Sequence, residues 1–586
     1  MIVLGFSGIE NGDFYAREYG LRFVGHDSSV ALVIDGKVAF AAEEERFSRE
    51  KHTSRLPVLA LRAALAEAGI QLGDVDHLAY TWSVSFRQYL DMCLHHAPRV
   101  PPRHALALAA TGVRVVRDLM LPRRVARRFA RAVGEPLPPC QGVVHHMGHA
   151  SAAFLPSPFE RAAVLTIDGQ GEAESASLGL WEGVEYTRLA SVRSPDSIGI
   201  LYGMVTDFLG MRAGWDEYKV MAMAARGDAA RFRDAFGELV QILPGGLYRT
   251  PQTALVFRPG ACERVLADAF GVPARRAGEE LTQVHFDLAA GLQDATERVA
   301  FHLLDRLRAA TDAPDLCLAG GVALNSVLNG KIRRSGRFER VWVPPAPGDH
   351  GGALGAALHV YYQRSGAPRD DVGFTPYLGP GADEGEMLAA LQARAADVAW
   401  TRPRDLVDRA ADLLARDRIL GWFQGRMEYG PRALGHRSIL ASPRREAMRD
   451  RVNARIKHRE GFRPFAGVVP AERAAELFDV EGESPYMQFV VPVREAARTV
   501  IPAVVHDGTC RVQTLRRSAD GLLHSLLTAF EREAGVPVLL NTSFNDADEP
   551  IVCTPSDAIE TFLHTGLDAL VLGPFLVLPS TKSAIG

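Results

Sequence analysis

The run His145-His146-Met147-Gly148-His149 gathers groups that could do chemistry. His145 and His149 lie four residues apart, and an α-helix sets such positions on one face. The spacing predicts a helix that offers two imidazoles to one ion. A polar helix surface with hydrogen-bonded histidines would carry the same pattern, so further ligands are needed. Asp168 closes the apolar run before Gly169, and Asp349 sits at a Gly-Asp turn before a stretch of small residues. Imidazole and carboxylate together suit a divalent transition metal such as iron or zinc, with Mn also acceptable. An ion held there would polarise a carbonyl oxygen or an alcohol.

Two other groups of residues point to phosphate. In Gly320-Gly321-Val322-Ala323-Leu324-Asn325 an apolar run passes through two glycines toward a helix. That brings backbone N–H groups close to a nucleotide, although a paired glycine is also common turn punctuation. The segment Gly425 to Ser438 interleaves Arg426, Arg432 and Arg437 with glycines; Lys457, Arg463 and Arg511 follow. Arginine recognises phosphate bidentately and lysine adds a point charge. These residues suit a polyphosphate pocket better than a solvated charge run. A nucleic-acid surface is the rival use, but the segment lacks interleaved aromatics.

The elements that must position these groups read as alternating strands and helices, which implies an α/β fold. Val3 to Ser7, Val30 to Ile34 and Val38 to Ala42 are apolar runs, the last two joined by Asp35-Gly36, a hairpin signal. Ala163 to Asp168, Asp315 to Ala319 and Val341 to Val343 read as strands, with a small-residue helix over Gly351 to Val360. The arginine-rich stretch from Gln88 to Val133 reads as solvated amphipathic helices. Gly, Pro and Asp accumulate near 364–384, which suggests a linker. A fresh pattern follows: a helix over Asp405 to Arg416, then strands at Ile419 to Phe423 and Val538 to Leu540. Two units result, about 1–370 and 380–586.

Composition excludes several classes. The 586 residues are 47% hydrophobic and 23% charged, with net charge −4, which is ordinary for a globular protein and shows no bias toward nucleic acid. Six scattered cysteines form no CxxC pair, so neither a disulfide framework nor a cysteine zinc site is expected. No leader and no uncharged apolar run of about 18 residues is found. The expectation is a cytoplasmic protein with no membrane and no nucleic-acid partner.

These motifs together resemble the antibiotic and nodulation-factor O-carbamoyltransferase family. The matching pieces are Gly25-His26-Asp27-Ser28-Ser29, Glu43 to Arg49, His145 to Ala150, Ile167-Asp168-Gly169, Glu217 to Met221, Gly320 to Asn325 and Pro347-Gly348-Asp349. Gly425 to Ser438, Arg463 to Ala466 and Leu540 to Asn545 complete the set, in order along nearly the whole chain. The resemblance implies an N-terminal ASKHA-type domain, the superfold of actin, Hsp70 and sugar kinases, followed by a YrdC-like α/β domain. It implies that the second domain joins carbamoyl phosphate and ATP, with Mg, into carbamoyl-adenylate. The first domain would then move the carbamoyl group to a hydroxyl of a small-molecule acceptor. Aminoglycosides, macrolides, ansamycins, cephems and modified chitooligosaccharides are all acceptable classes, and a secondary-metabolite alcohol is favoured.

By the same resemblance His145, His149, Asp168 and Asp349 hold the metal, and His26 takes the hydroxyl proton. Lys219, Gly320, Gly321 and Asn325 bind nucleotide in the first domain. Arg432 and Lys457 act in adenylate formation, with Arg426, Arg437, Arg463, Arg511, Asn541 and Ser543 around carbamoyl phosphate and ATP. The competing readings are an ASKHA-type kinase, a tRNA-modifying carbamoyl or threonylcarbamoyl transferase fusion, and a non-catalytic nucleotide-binding regulator. A kinase would leave the second arginine-rich half without a use. A tRNA enzyme would favour a strongly basic face. A regulator would not need metal ligands and an anion cluster together.

Overall fold

The computed structural model describes residues 1–9, 26–85, 87–88, 90, 94–95, 112–113, 115–251, 261–369 and 373–580. Gly25, Cys93 and most of the arginine-rich stretch before Pro122 lie outside the described residues. The chain divides into two units: Met1–Glu44 with His52–Phe374, and Glu45–Lys51 with Thr375–Gly586. Among the described residues no helix is long and apolar enough to cross a membrane.

The first unit repeats one sheet topology. Its first sheet holds β1 (Ile2–Phe6), β2 (Ser29–Ile34), β3 (Lys37–Glu43), β4 (His77–Tyr80) and β5 (Cys140–Gly142), in the order β3-β2-β1-β4-β5. The first three form an antiparallel meander, and β4 and β5 run parallel to β1. The β2–β3 turn has positive φ at both Asp35 and Gly36, as a tight hairpin requires. The second sheet holds β6 (Arg161–Ile167), β7 (Glu174–Glu182) and β8 (Glu185–Arg193). A small hairpin, β9 (Gln241–Leu243) and β10 (Leu247–Arg249), stands apart, and β11 (Asp315–Ala319) and β12 (Arg340–Trp342) complete the second sheet. Its order, β8-β7-β6-β11-β12, retraces the first: an antiparallel meander followed by two parallel strands. This duplicated path is the one expected of an ASKHA-type domain. Val30 to Val33 and Ala162 to Leu165 are buried in unbroken runs, as strands covered on both faces must be.

Between the sheets run α1 (His145–Phe154) and α4 (Gly352–Ser365). The long α2 (Gln283–Ala310) and the short α3 (Ser326–Arg334) lie between them in sequence. In α1, Gly148 to Phe154 are all buried, so this helix is enclosed on every side. Small residues make that possible. A Cβ on Gly355 would collide with the Gly148 carbonyl, so the two helix backbones touch where they cross.

The second unit is an α/β domain, as expected, built on one nine-stranded sheet. Its strands are β13 (Val398–Thr401), β14 (Leu420–Phe423), β15 (Arg437–Ala441), β16 (Ala466–Pro470), β17 (Val490–Pro492), β18 (Thr509–Leu515), β19 (Leu539–Ser543), β20 (Ala569–Leu572) and β21 (Phe575–Pro579). They lie in the order β13-β21-β20-β14-β15-β19-β16-β18-β17. Helices α5 (Leu406–Ala415) and α6 (Gly521–Ala534) pack against each other over a core of Trp422, Leu440, Val468, Leu526 and Phe530.

Candidate active site

Four side chains from three places in the first unit converge as the spacing predicts. His145 and His149 sit one turn apart on α1, Asp168 follows β6, and Asp349 opens the turn before α4. The Asp168 Oδ2 atom is 2.9 Å from His145 Nε2 and 2.8 Å from His149 Nε2. Asp349 Oδ1 lies 3.4 Å from both nitrogens, and the nitrogens are 3.0 Å apart. All these atoms fall within 4.8 Å of one another. Donors bound at about 2.1 Å around one ion stand roughly 3.0–3.4 Å apart, so the set fits a cation. Burial opposes charge on Asp168, yet His145 and His149 hold its carboxyl well below the usual range. Burial also opposes charge on His145, but Asp349 and Asp168 raise its pKa well above that of a free histidine.

The surroundings sort the neighbours into roles. His146 faces away from the cluster; its Nε2 donates to Glu174 O (3.1 Å) and its Nδ1 accepts from Thr166 Oγ1 (2.8 Å). Burial, then the charge of His145, pushes the His146 pKa down to about 3, so this ring stays neutral. The Gly321 N–H donates to Asp168 Oδ1 (3.1 Å), as does the Gly169 N–H (2.7 Å). Gly320 has φ 88°, and a Cβ there would strike the Ile167 carbonyl. The paired glycines therefore hold the Asp168 carboxylate, beyond any contact with nucleotide. Asn325 caps α3 by accepting from Leu328 N–H (3.0 Å) and donates to Gln293 (2.8 Å). Lys219 pairs with Asp216 at 3.0 Å.

His26 lies beside this cluster. Its Nδ1 is 2.8 Å from Asp27 Oδ2, and its Nε2 is 4.0 Å from Asp349 Oδ2. Burial opposes charge on His26, but Asp27, Asp349 and Asp168 outweigh it and raise the pKa to about 10.

In the second unit the basic residues separate into two kinds. Arg437 is wholly buried and lies 3.6 Å over the Phe423 ring. Its Nη1 donates to the carbonyls of Gln424 (2.6 Å), Gly425 (3.2 Å) and His436 (3.1 Å). Arg426 donates to Gly379 O (2.9 Å) and Leu378 O (2.6 Å). Both are built into the backbone around the loop between β14 and β15. Asn541 joins them indirectly, donating to Gln513 (2.8 Å), which donates to Leu434 O (2.7 Å).

Lys457, Arg463 and Arg511 form a second group. Lys457 donates to Ser543 O (2.6 Å), Asn545 O (2.8 Å) and Asn545 Oδ1 (2.6 Å), all neutral oxygens. Burial, and then Arg459, Lys51 and Arg463, hold its pKa well below that of a free lysine. Arg463 is 3.7 Å from Glu460. Burial lowers the Arg511 pKa to about 10, with Arg463 adding to the effect. Ladder pairing sets Ala466 opposite both Arg511 and Asn541, and Ser438 opposite Ser543, so these residues share one end of the sheet. Arg432 stands half-buried in the preceding loop. Like charges gathered here attract an anion.

Several residues of these sites carry no signal in the sequence. The buried Glu172 carboxylate accepts from the His145 N–H (3.0 Å) and from the Ser83 N–H (2.8 Å). Trp82 stacks on the His145 ring at 4.1 Å. Glu428 Oε1 accepts from the N–H groups of Leu434 (2.7 Å), His436 (2.8 Å) and Arg437 (3.1 Å), which shapes the arginine-rich loop. A lone glutamate or tryptophan has no characteristic spacing; only Gly425, Gly430 and Gly435 around Glu428 hint at a tight loop.

Comparison with known proteins adds to this geometry. Residues 17–358 match the model of a carbamoyltransferase N-terminus, and residues 411–578 match that of a carbamoyltransferase C-terminus. Nodulation protein NolNO of Sinorhizobium fredii is 40% identical over 573 residues, covering 95% of this chain and 80% of the relative. Nodulation protein NolO of Bradyrhizobium diazoefficiens is 43% identical over 441 residues, covering 74% and 78%. Among solved structures, full-length HypF is 10% identical with a TM-score of 0.31, covering 62% of this chain and 56% of that one, a likeness too weak to argue from. Two family models in chain order and relatives of this identity have one reading: the chain is an enzyme of the carbamoyltransferase family.

Proposed function

We propose that the protein is an ATP-dependent O-carbamoyltransferase working in two steps. The second unit forms carbamoyl-adenylate from carbamoyl phosphate and ATP, and the first transfers the carbamoyl group to a hydroxyl of a small molecule. Formation of the adenylate takes up one water and releases phosphate and pyrophosphate. Its reactants repel each other, and the phosphates must be held by cations. Arg432, Lys457, Arg463 and Arg511 serve as those cations, with Ser543 beside Lys457. Arg426, Arg437 and Asn541 act on the loop that carries Arg432. In the first unit Lys219, Gly320, Gly321 and Asn325 line the path of the adenylate.

The observation that carries the proposal is the convergence of His145, His149, Asp168 and Asp349 with His26 at its edge. These four residues would hold a divalent metal, Fe(II) first among the candidates, and the metal would supply polarisation of an oxygen at the reacting carbon. His26 takes the hydroxyl proton. The acceptor favoured is a secondary-metabolite or carbohydrate alcohol, and the setting is the cytoplasm.

The test is to incubate the protein with carbamoyl phosphate, ATP, Mg and a panel of alcohols. Pyrophosphate release without acceptor and a mass gain of one carbamoyl group on an alcohol are expected. Carbamoyl transfer that proceeds without ATP would overturn the two-step reading.

A further inference from the structure

Asp27 joins two histidines with one carboxylate. Its Oδ2 is 2.8 Å from His26 Nδ1, and its Oδ1 is 2.6 Å from His52 Nδ1. Both imidazoles therefore donate through Nδ1–H, since a carboxylate oxygen only accepts. Asp27 itself adopts φ 58° and His52 φ 53°, a left-handed backbone that non-glycine residues seldom take. Strain of that kind persists where the surrounding structure holds it, and it collects at functional sites. The turn is tied down by Ser28 N–H donating to Thr53 O (3.0 Å), which brings the His52 segment against the Asp27 turn. The His52 ring packs on Trp215 at 4.7 Å, and Arg212 covers that tryptophan at 4.8 Å.

The consequence falls on the other nitrogen of His26. In the neutral ring, which a cation held by Asp168 and Asp349 would favour by offsetting their charge, the proton stays on Nδ1 and Nε2 carries the lone pair. Among the described residues Nε2 makes no hydrogen bond, its nearest charged neighbour being Asp349 at 4.0 Å. We infer that Asp27, braced by His52, is a positioning residue that fixes the His26 tautomer, so that Nε2 receives the acceptor's hydroxyl proton. In that step the hydroxyl oxygen bonds to the carbamoyl carbon. The bond from that carbon to the adenylate phosphate oxygen breaks, and AMP leaves with the electron pair. The proton rests on Nε2, where the ionised Asp27 stabilises the imidazolium, and then passes to solvent. The inference rests on the reading of His26 as proton acceptor.

The experiment uses the full-length, metal-loaded protein with ¹⁵N-labelled histidine, and assigns the His26 ring by its loss in His26→Gln. Wild type is expected to show His26 as the Nδ1–H tautomer in about tenfold or greater excess, since a charge-assisted hydrogen bond supports at least that ratio. Asp27→Asn should bring the two tautomers toward parity. His52→Ala should do so partly, and His52→Asn, whose amide can donate from nearly the Nδ1 position, should restore the wild-type ratio. The His52 pair decides the matter if Asp27→Asn does not fold. An Nε2–H or doubly protonated His26 in wild type, or a ratio indifferent to all three variants, would overturn the inference. Normal carbamoyl transfer by His26→Gln would instead remove the proton-acceptor reading and leave the tautomer result standing.

Discussion

His149 reaches the cluster through a single nitrogen, with Nε2 2.8 Å from Asp168 and 3.4 Å from Asp349. His149→Ala removes one of four converging donors and leaves two buried carboxylates facing one imidazole. Metal affinity should fall by at least about 10–100-fold, the cost of losing even an outer partner of a ligand. Elemental analysis after dialysis against a limiting metal concentration measures this; full occupancy in the variant would contradict the assignment. Pyrophosphate release should persist, because that step is assigned to the other unit. At this scale the sequence was informative where spacing repeats a geometry, as with His145 and His149. It was also informative where a carboxylate ends a strand, as with Asp168. It was silent on donors spent locally. Nothing in the string Gly425 to Ser438 marks Arg437 as consumed by three carbonyls.

The elements place these residues by close approach. Helix α1 is made of residues small enough to be enclosed between two sheets, and its Gly148 carbonyl lies where a Cβ on Gly355 would have to go. Gly355→Ala should therefore push α4 and α1 apart, at a cost of about 1–3 kcal/mol or more for overpacking. Because α1 carries two metal ligands and α4 follows Asp349, metal affinity should weaken along with melting temperature. A variant that melts and binds metal as wild type does would show that the helices do not depend on that contact. In the first unit β1, β2, β3, β6, β11 and β12 were legible because their apolar runs are continuous, and the Asp35-Gly36 hairpin because its turn demands positive φ; β4, β5, β7 and β8 were not read. The duplication of the two sheets was not legible from periodicity. The resemblance to a family supplied the superfold, and the strand order supplies the duplicated path.

On the scale of the whole molecule, the seven residues Glu45–Lys51 belong to the second unit although they sit inside the sequence of the first. Arg46 donates to Gly430 O (2.8 Å), 384 residues away, and Arg49 donates to Ile551 O (2.7 Å), 502 residues away. Contacts so distant leave no local pattern, which is why a division near residue 370 was all that composition suggested. Because this segment would be lost from a second unit cut there, the two steps are best separated by substitution in the intact chain. Carbamoyl-adenylate is an activated mixed anhydride, and its formation and use are distinct chemical events. The central claim is that each unit owns one of them. Arg463→Ala removes a cation of the second unit, where a charge-assisted contact to phosphate is worth roughly 1.5–3 kcal/mol. The most direct measurement compares carbamoyl transfer by this variant from carbamoyl phosphate plus ATP with transfer from preformed carbamoyl-adenylate. The account predicts a loss of about 10–150-fold in the first case and wild-type transfer in the second. Equal loss with both donors, or adenylate formation at the wild-type rate, would contradict it.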